Sequence, residues 1–121
     1  MMSQITEITV QEAEELINTK GALILDTRDQ RDYISSRHPD AINLSDHNTM
    51  ALIKRTPKDK NIIVYCYLGH SSIEKAKLFA DFGFQNCFSV KGGFTAWKKF
   101  LKVKDFAEEQ QVLIQKSEIF S

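Results

Sequence analysis

Short apolar runs limit what this chain can fold into. Ala22-Leu23-Ile24-Leu25-Asp26 and Asn61-Ile62-Ile63-Val64-Tyr65 are almost continuously hydrophobic, rich in aliphatic residues and followed by loop residues. Runs this short fit buried strands better than core helices, and the lack of polar alternation points to burial on both faces. Asn86-Cys87-Phe88-Ser89-Val90 reads as a further strand, Ala41-Ile42-Asn43-Leu44 as another, and Thr6-Glu7-Ile8 as a short edge strand.

Helical spacing fills the gaps. Thr9 is a suitable N-cap for a helix through Asn18, with Glu12 three residues on completing a capping box and Ala13, Leu16 and Ile17 as its apolar stripe. Residues 29–36 form a charged short helix or turn with Tyr33 and Ile34 turned inward, and another short helix follows over 49–54. Ile73, Ala76, Leu78, Phe79 and Ala80 give helical spacing over 72–82, which Gly83 closes. A last helix carries Phe94, Trp97 and Phe100. Strands alternating with helices imply an α/β fold: a mostly parallel central sheet of about five strands with helices on both faces.

Residues 1–103 account for one domain, and 104–121 stand apart as a helical or flexible extension. Its Phe106, Val112, Leu113 and Ile114 suit a weakly amphipathic helix docked on the body, whereas Lys104, Asp105, Glu108 and Glu109 suit a solvated tail or a partner contact. Sixteen basic residues balance sixteen acidic ones, so no overall field draws the chain to nucleic acid or membrane, and any anion binding must be local. No apolar stretch is long enough to span a bilayer. Met1-Met2-Ser3-Gln4-Ile5-Thr6-Glu7 lacks the features of a signal peptide. With only Cys66 and Cys87 in the chain, a reducing cytoplasm is the expected compartment.

Cys66 ends the second apolar run, and Tyr67-Leu68-Gly69-His70-Ser71-Ser72 leads from it into a helix. A thiol at such a junction lies among unpaired backbone N–H groups at the positive end of a helix dipole, which favour the thiolate. The loop can curl into a nest around an anion: Gly69 permits the curvature, and Ser71 and Ser72 supply hydroxyls and can cap the helix. His70 suits anion binding, proton transfer or a solvent-facing position, and Tyr67 and Leu68 suit a pocket mouth. Arg28 suits bracing the loop, attracting substrate, or a structural ion pair with Asp26 or another carboxylate. Trp97 reads as core, and Cys87 as a small buried hydrophobe. His38 and His47 lack the spacing of a metal site, and no metal or cofactor is expected.

Cys66-Tyr67-Leu68-Gly69-His70-Ser71-Ser72 resembles the active-site loop of rhodanese domains, especially the small single-domain thiosulfate sulfurtransferases. Asp26-Thr27-Arg28 resembles the family's Asp-x-Arg after its second strand, and Gly92-Gly93-Phe94-Thr95-Ala96-Trp97 its Gly-Gly-aromatic-x-x-Trp segment after the last strand. The likeness covers roughly residues 5–101 in the right order and spacing. Ser36-Arg37-His38-Pro39-Asp40-Ala41-Ile42-Asn43 departs from the family's Gly-His-Ile-x-Gly-Ala-x-Asn, with only Ala41 and Asn43 matching cleanly, so the family histidine's structural role is not carried over to His38.

The resemblance implies a rhodanese-like fold and sulfur transfer through a persulfide on Cys66. It makes thiosulfate the first choice of donor, with binding by Tyr67, Leu68, Gly69, His70, Ser71, Ser72 and Arg28. Because Tyr67-Leu68-Gly69-His70 holds no Lys or Arg, 3-mercaptopyruvate, which family members with small neutral loops use, stays open. Acceptors implied are cyanide in an assay, or a dithiol or thioredoxin-like protein in the cell. Cysteine phosphatases place an arginine after five intervening residues to clamp phosphate; this chain has Ser72 there. Two further readings are a persulfide relay that takes sulfur from another enzyme and a noncatalytic rhodanese-like binding module, which would not need the nucleophile. The oligomeric state is not legible.

Overall fold

The computed structural model describes residues 4–120, with side chains as far as 116 in the last helix. Met1–Ser3 and Ser121, the outermost parts of the two expected segments, lie outside the described residues. Five strands, β1 (Thr6–Ile8), β2 (Leu23–Asp26), β3 (Ala41–Asn43), β4 (Asn61–Tyr65) and β5 (Asn86–Val90), alternate with five helices. These are α1 (Val10–Lys20), α2 (Gln30–Ser35), α3 (Thr49–Arg55), α4 (Ser71–Asp81) and α5 (Gly93–Phe120). The sheet has the order β1-β5-β4-β2-β3, and every pair in it is parallel.

β4 is the centre of the molecule. Its side chains alternate, so Ile63 and Tyr65 enter one core and Ile62 and Val64 the other. Ile63 and Tyr65 pack with Ala13 of α1 and Phe94 and Trp97 of α5. Ile62 and Val64 pack with Leu52 and Ile53 of α3 and Ala76 and Phe79 of α4. A strand sandwiched this way has no solvent side, which explains its uninterrupted apolar run.

Local signals hold closely. Thr9 and Glu12 form the reciprocal capping box, each bond 3.1 Å, and α1 continues to Lys20. Gly83 follows α4 at φ +96°, where other residues are strained. Three expectations need correction. Ile34 is 66% exposed: the six-residue α2 can turn only one side inward, and half-buried Tyr33 occupies it, donating to the Ala41 carbonyl at 2.6 Å. α4 begins at Ser71 with His70 in the N-cap position, and neither serine caps it. The third concerns how the segment after Trp97 sits. No Gly or Pro occurs from Phe94 onward, so α5 runs on as one helix. Residues 102–116 are exposed along it, so the apolar residues there do not dock on the body. Among the described residues, no helix is long and apolar enough to cross a membrane.

Candidate active site

Cys66 follows the C-terminal end of β4, where a parallel sheet presents its ligand-binding edge. Its Sγ is nearly buried and receives the Gly69 N–H at 3.1 Å. The Ser72 Oγ lies 3.3 Å away and accepts from the thiol. Burial pushes the Cys66 thiol up, but the Ser72 and Ser71 hydroxyls and the backbone N–H groups of Ser72 and Gly69 outweigh it and hold the group down at about 7. Cys66 is therefore substantially ionised at neutral pH.

The loop is held from behind by the start of α5. Phe94 N–H donates to the Cys66 carbonyl at 2.8 Å, and Thr95 N–H to the Tyr67 carbonyl at 3.2 Å. Two of the N–H groups that a helix start leaves unpaired thus fix the loop's main chain. Such close approach needs glycine. A Cβ on Gly93, at φ +56°, would sit 2.6 Å from the Cys66 and Tyr67 carbonyl oxygens. Gly69, at φ +96°, is pressed against the Gly92 nitrogen and the Val90 carbonyl.

The expected site residues divide into three groups. Cys66, Gly69 and Ser72 converge around the sulfur. Tyr67, Leu68, His70 and Ser71 are exposed on the loop; the Tyr67 hydroxyl bonds the Asp32 carboxylate and receives the Asp29 N–H. Arg28 is turned to other partners. Its buried guanidinium lies 2.8 Å from Asp26, donates to the Ser36 carbonyl at 2.5 Å, and stacks 4.0 Å over Phe94, so the ion-pair alternative is the observed one. A cleft of about 470 Å³ opens beside Tyr67, with Lys98, Lys99 and Lys102 of α5 on its wall. Among the described residues, no three His, Cys, Asp or Glu side chains cluster as a metal site would require.

Sequence reasoning missed two features. Ser89 of β5 lies 2.8 Å from Ser72, oxygen to oxygen, and both serines are fully buried. Beneath the site, Glu14 accepts from the Trp97 indole N–H at 2.8 Å and sits 3.2 Å from His38 Nε2, whose ring packs 4.6 Å from the Trp97 ring. The signal for Glu14 was present: Val10, Ala13, Glu14 and Ile17 are spaced i, i+3, i+4, i+7, which puts a carboxylate in the apolar stripe of α1.

Residues 9–100 match the family model for the rhodanese-like domain. The chain belongs to that family. This rhodanese-like domain is 36% identical over 99 residues to the thiosulfate sulfurtransferase GlpE of Actinobacillus pleuropneumoniae serotype 5b, covering 82% of this chain and 92% of that protein. It is 33% identical over 97 residues to the protein of the same name in Pseudomonas savastanoi, covering 80% and 91%. Among solved structures it resembles a rhodanese-like domain protein of Staphylococcus aureus, with a TM-score of 0.66 at 20% identity over 77% of this chain and 91% of that one. That last likeness bears on the fold alone, and it agrees with the five-stranded parallel sheet of this rhodanese-like domain.

Proposed function

We propose that this chain is a thiosulfate sulfurtransferase with Cys66 as its nucleophile. The observation that carries the reading is the nearly buried Cys66 sulfur ringed by hydrogen-bond donors and held near neutral pKa. The names of its relatives point to the same donor. The Cys66 thiolate attacks the outer sulfur of thiosulfate. A new S–S bond forms, the old S–S bond breaks, and sulfite leaves with its electron pair. The charge is conserved: thiolate and thiosulfate dianion become persulfide anion and sulfite dianion. An acceptor nucleophile then takes the terminal sulfur and Cys66 departs as thiolate, so the kinetics are ping-pong.

The donors that lower the thiol are suited to the persulfide anion as well, acting as an oxyanion hole acts on oxygen. Gly69 N–H and the Ser71 and Ser72 hydroxyls are the groups assigned to it. Tyr67, Leu68 and His70 form the exposed rim that the incoming anion meets, and Lys98, Lys99 and Lys102 give that side local positive charge on a chain of zero net charge. Arg28 acts by bracing the rim through Asp26 and Phe94 rather than by touching substrate. The cellular acceptor is a dithiol or thioredoxin-like protein, and the compartment is the reducing cytoplasm, in keeping with two unpaired thiols. Residues 1–103 are the catalytic body, with 104–121 an extension.

Intact-protein mass spectrometry after incubation with thiosulfate tests the reading. A gain of one sulfur atom in the wild type and none in Cys66→Ser is expected; equal gain in both would overturn it. Turnover with cyanide then separates an enzyme from a persulfide relay.

A further inference from the structure

We propose that Ser89 is a positioning residue for the reaction, aligning the Ser72 hydroxyl so that its single proton points at the Cys66 sulfur. The inference rests on Cys66 being the nucleophile. Cys66, Ser72 and Ser89 form a chain from the loop through α4 to β5, with links of 3.3 Å and 2.8 Å, and both serines are fully buried. Both hydroxyls are shielded from bulk solvent, so their protein neighbours set the proton order. With a neutral thiol, Cys66 donates to Ser72, and either serine hydroxyl can donate to the other. With the anionic sulfur, Ser72 must donate to it, and its own oxygen is free to accept from Ser89. Ionisation thus reverses the Cys66–Ser72 bond and fixes the direction of the Ser72–Ser89 bond, and the chain then ends on a charge, where such bonds are shorter and stronger and polarise one another. Ser89 touches neither sulfur nor substrate; its effect passes through Ser72.

The test is the pH dependence of Cys66 alkylation by iodoacetamide, which needs no sulfur donor and so stands apart from the choice of thiosulfate. Ser89→Ala should move the inflection upward by about one pH unit, a tenfold loss of thiolate below the wild-type inflection. Alkylation should return to the wild-type rate in alkaline buffer. Ser89→Thr, which keeps the hydroxyl on a residue suited to a strand, should restore the wild-type inflection and also covers the case in which the alanine variant fails to fold. A purely structural serine would lower the rate equally at every pH. An unmoved inflection in Ser89→Ala, or one displaced in Ser89→Thr as far as in the alanine variant, would overturn the proposal.

A separate observation concerns the exposed half of α5. Val103, Phe106, Leu113 and Ile114 are 69%, 62%, 57% and 52% exposed. Val103, Phe106, Gln110 and Leu113 recur at i, i+3, i+7 and i+10, a seam of the kind that pairs helices. On the heptad that this seam defines, Lys102, Glu109 and Lys116 stand at the flanking positions and alternate in sign. None of these three belongs to an ion pair found among the described residues. We infer that this segment pairs with the same segment of a second copy of this chain, the two helices antiparallel. Antiparallel packing brings like flanking positions of the two copies together, which sets Lys102 of each near Glu109 of the other; parallel packing would set Lys102 and Glu109 beside Ala107 and Ile114.

Sedimentation of the full chain from low to high micromolar concentration should show reversible dimers, which Phe106→Glu abolishes. Lys102→Glu and Glu109→Lys should each weaken the dimer, and the double reversal should restore it. A monomer throughout the range, as a docking face for some other protein would give, overturns the inference. So does a double variant weaker than either single one.

Discussion

The two cysteines sit at opposite ends of neighbouring strands and behave in opposite ways. Cys66 follows the C-terminal end of β4; Cys87 is the second residue of β5, paired with Ile62 near the N-terminal end of β4. Each is nearly inaccessible, 2% and 3% exposed. Burial pushes the Cys87 thiol up to about 11, and the Phe84 carbonyl near it can only accept. At Cys66 the same burial is overcome by donors, and the thiol lies at about 7. Burial alone makes a cysteine inert; burial among oriented donors makes it reactive. The donors gather where strand ends give way to helix starts, and only Cys66 is there.

Removing each sulfur is the sharpest way to test that contrast. Cys66→Ser should abolish persulfide formation, a loss of at least about a thousandfold, because the thiolate is the attacking group. Cys87→Ser should leave the reaction per folded molecule nearly unchanged while costing about 1–2 kcal/mol of stability for a buried hydroxyl in an apolar strand. Mass spectrometry and urea unfolding read the two effects. Comparable loss of labelling in both variants would erase the distinction between the thiols.

Next in size is the main chain that holds the donors. Gly93→Ala forces a Cβ against the Cys66 and Tyr67 carbonyl oxygens at 2.6 Å. It should cost about 3 kcal/mol and slow persulfide formation by roughly a hundredfold, since loop geometry is what lowers the thiol. Gly83→Ala has a similar backbone penalty, at φ +96°, but open space around the new Cβ. It should cost about 1–2 kcal/mol and leave the rate of the folded protein intact. Equal kinetic losses in the two variants would mean that the fold, rather than the loop, limits the chemistry.

The thiols should also pull stability in opposite directions with pH. The Cys66 thiol is lowered on folding, so its contribution grows as pH rises from about 7 toward the unfolded thiol range and is lost as pH falls through about 7. The Cys87 thiol is raised, so its contribution is intact below the unfolded range and is lost as pH rises toward about 11. Chemical denaturation between neutral and alkaline pH should show that Cys66→Ser removes the rise and Cys87→Ser removes the later fall.

What was legible follows from how the information lies in the chain. The reactive loop is contiguous from Cys66 to Ser72, and its strand, glycine and helix start are local features, so the nucleophile could be read directly. The inner strands were legible because they carry short apolar runs, and Thr6-Glu7-Ile8 because it precedes a capped helix as a short edge strand does. Ser89 was not, because a serine in a buried strand acquires meaning only when the 17-residue separation from Ser72 is closed in space. Glu14, His38 and Trp97 come from three distant segments for the same reason. Arg28 had two readings that differ only in where a long side chain turns, and the buried Asp26 carboxylate decides between them.

His70 gives the smallest expected effect and the finest test of where the donors are. It stands between Gly69 and Ser71, at the N-cap of α4, close in sequence to every group that lowers the Cys66 thiol. Its backbone, at φ −95° and ψ −58°, is helical rather than extended, and its exposed side chain makes no cap hydrogen bond. The side-chain bond of an N-cap depends on an extended backbone. His70→Ala should therefore change stability by less than about 0.5 kcal/mol, as a surface substitution without a specific partner does. It should also leave the alkylation inflection of Cys66 near 7, since the hydroxyls of Ser72 and Ser71 and the N–H groups of Ser72 and Gly69 hold it there. If the inflection rose clearly, imidazolium charge would have to be added to those donors, and the contrast with Cys87 would rest partly on a side chain at the loop's surface.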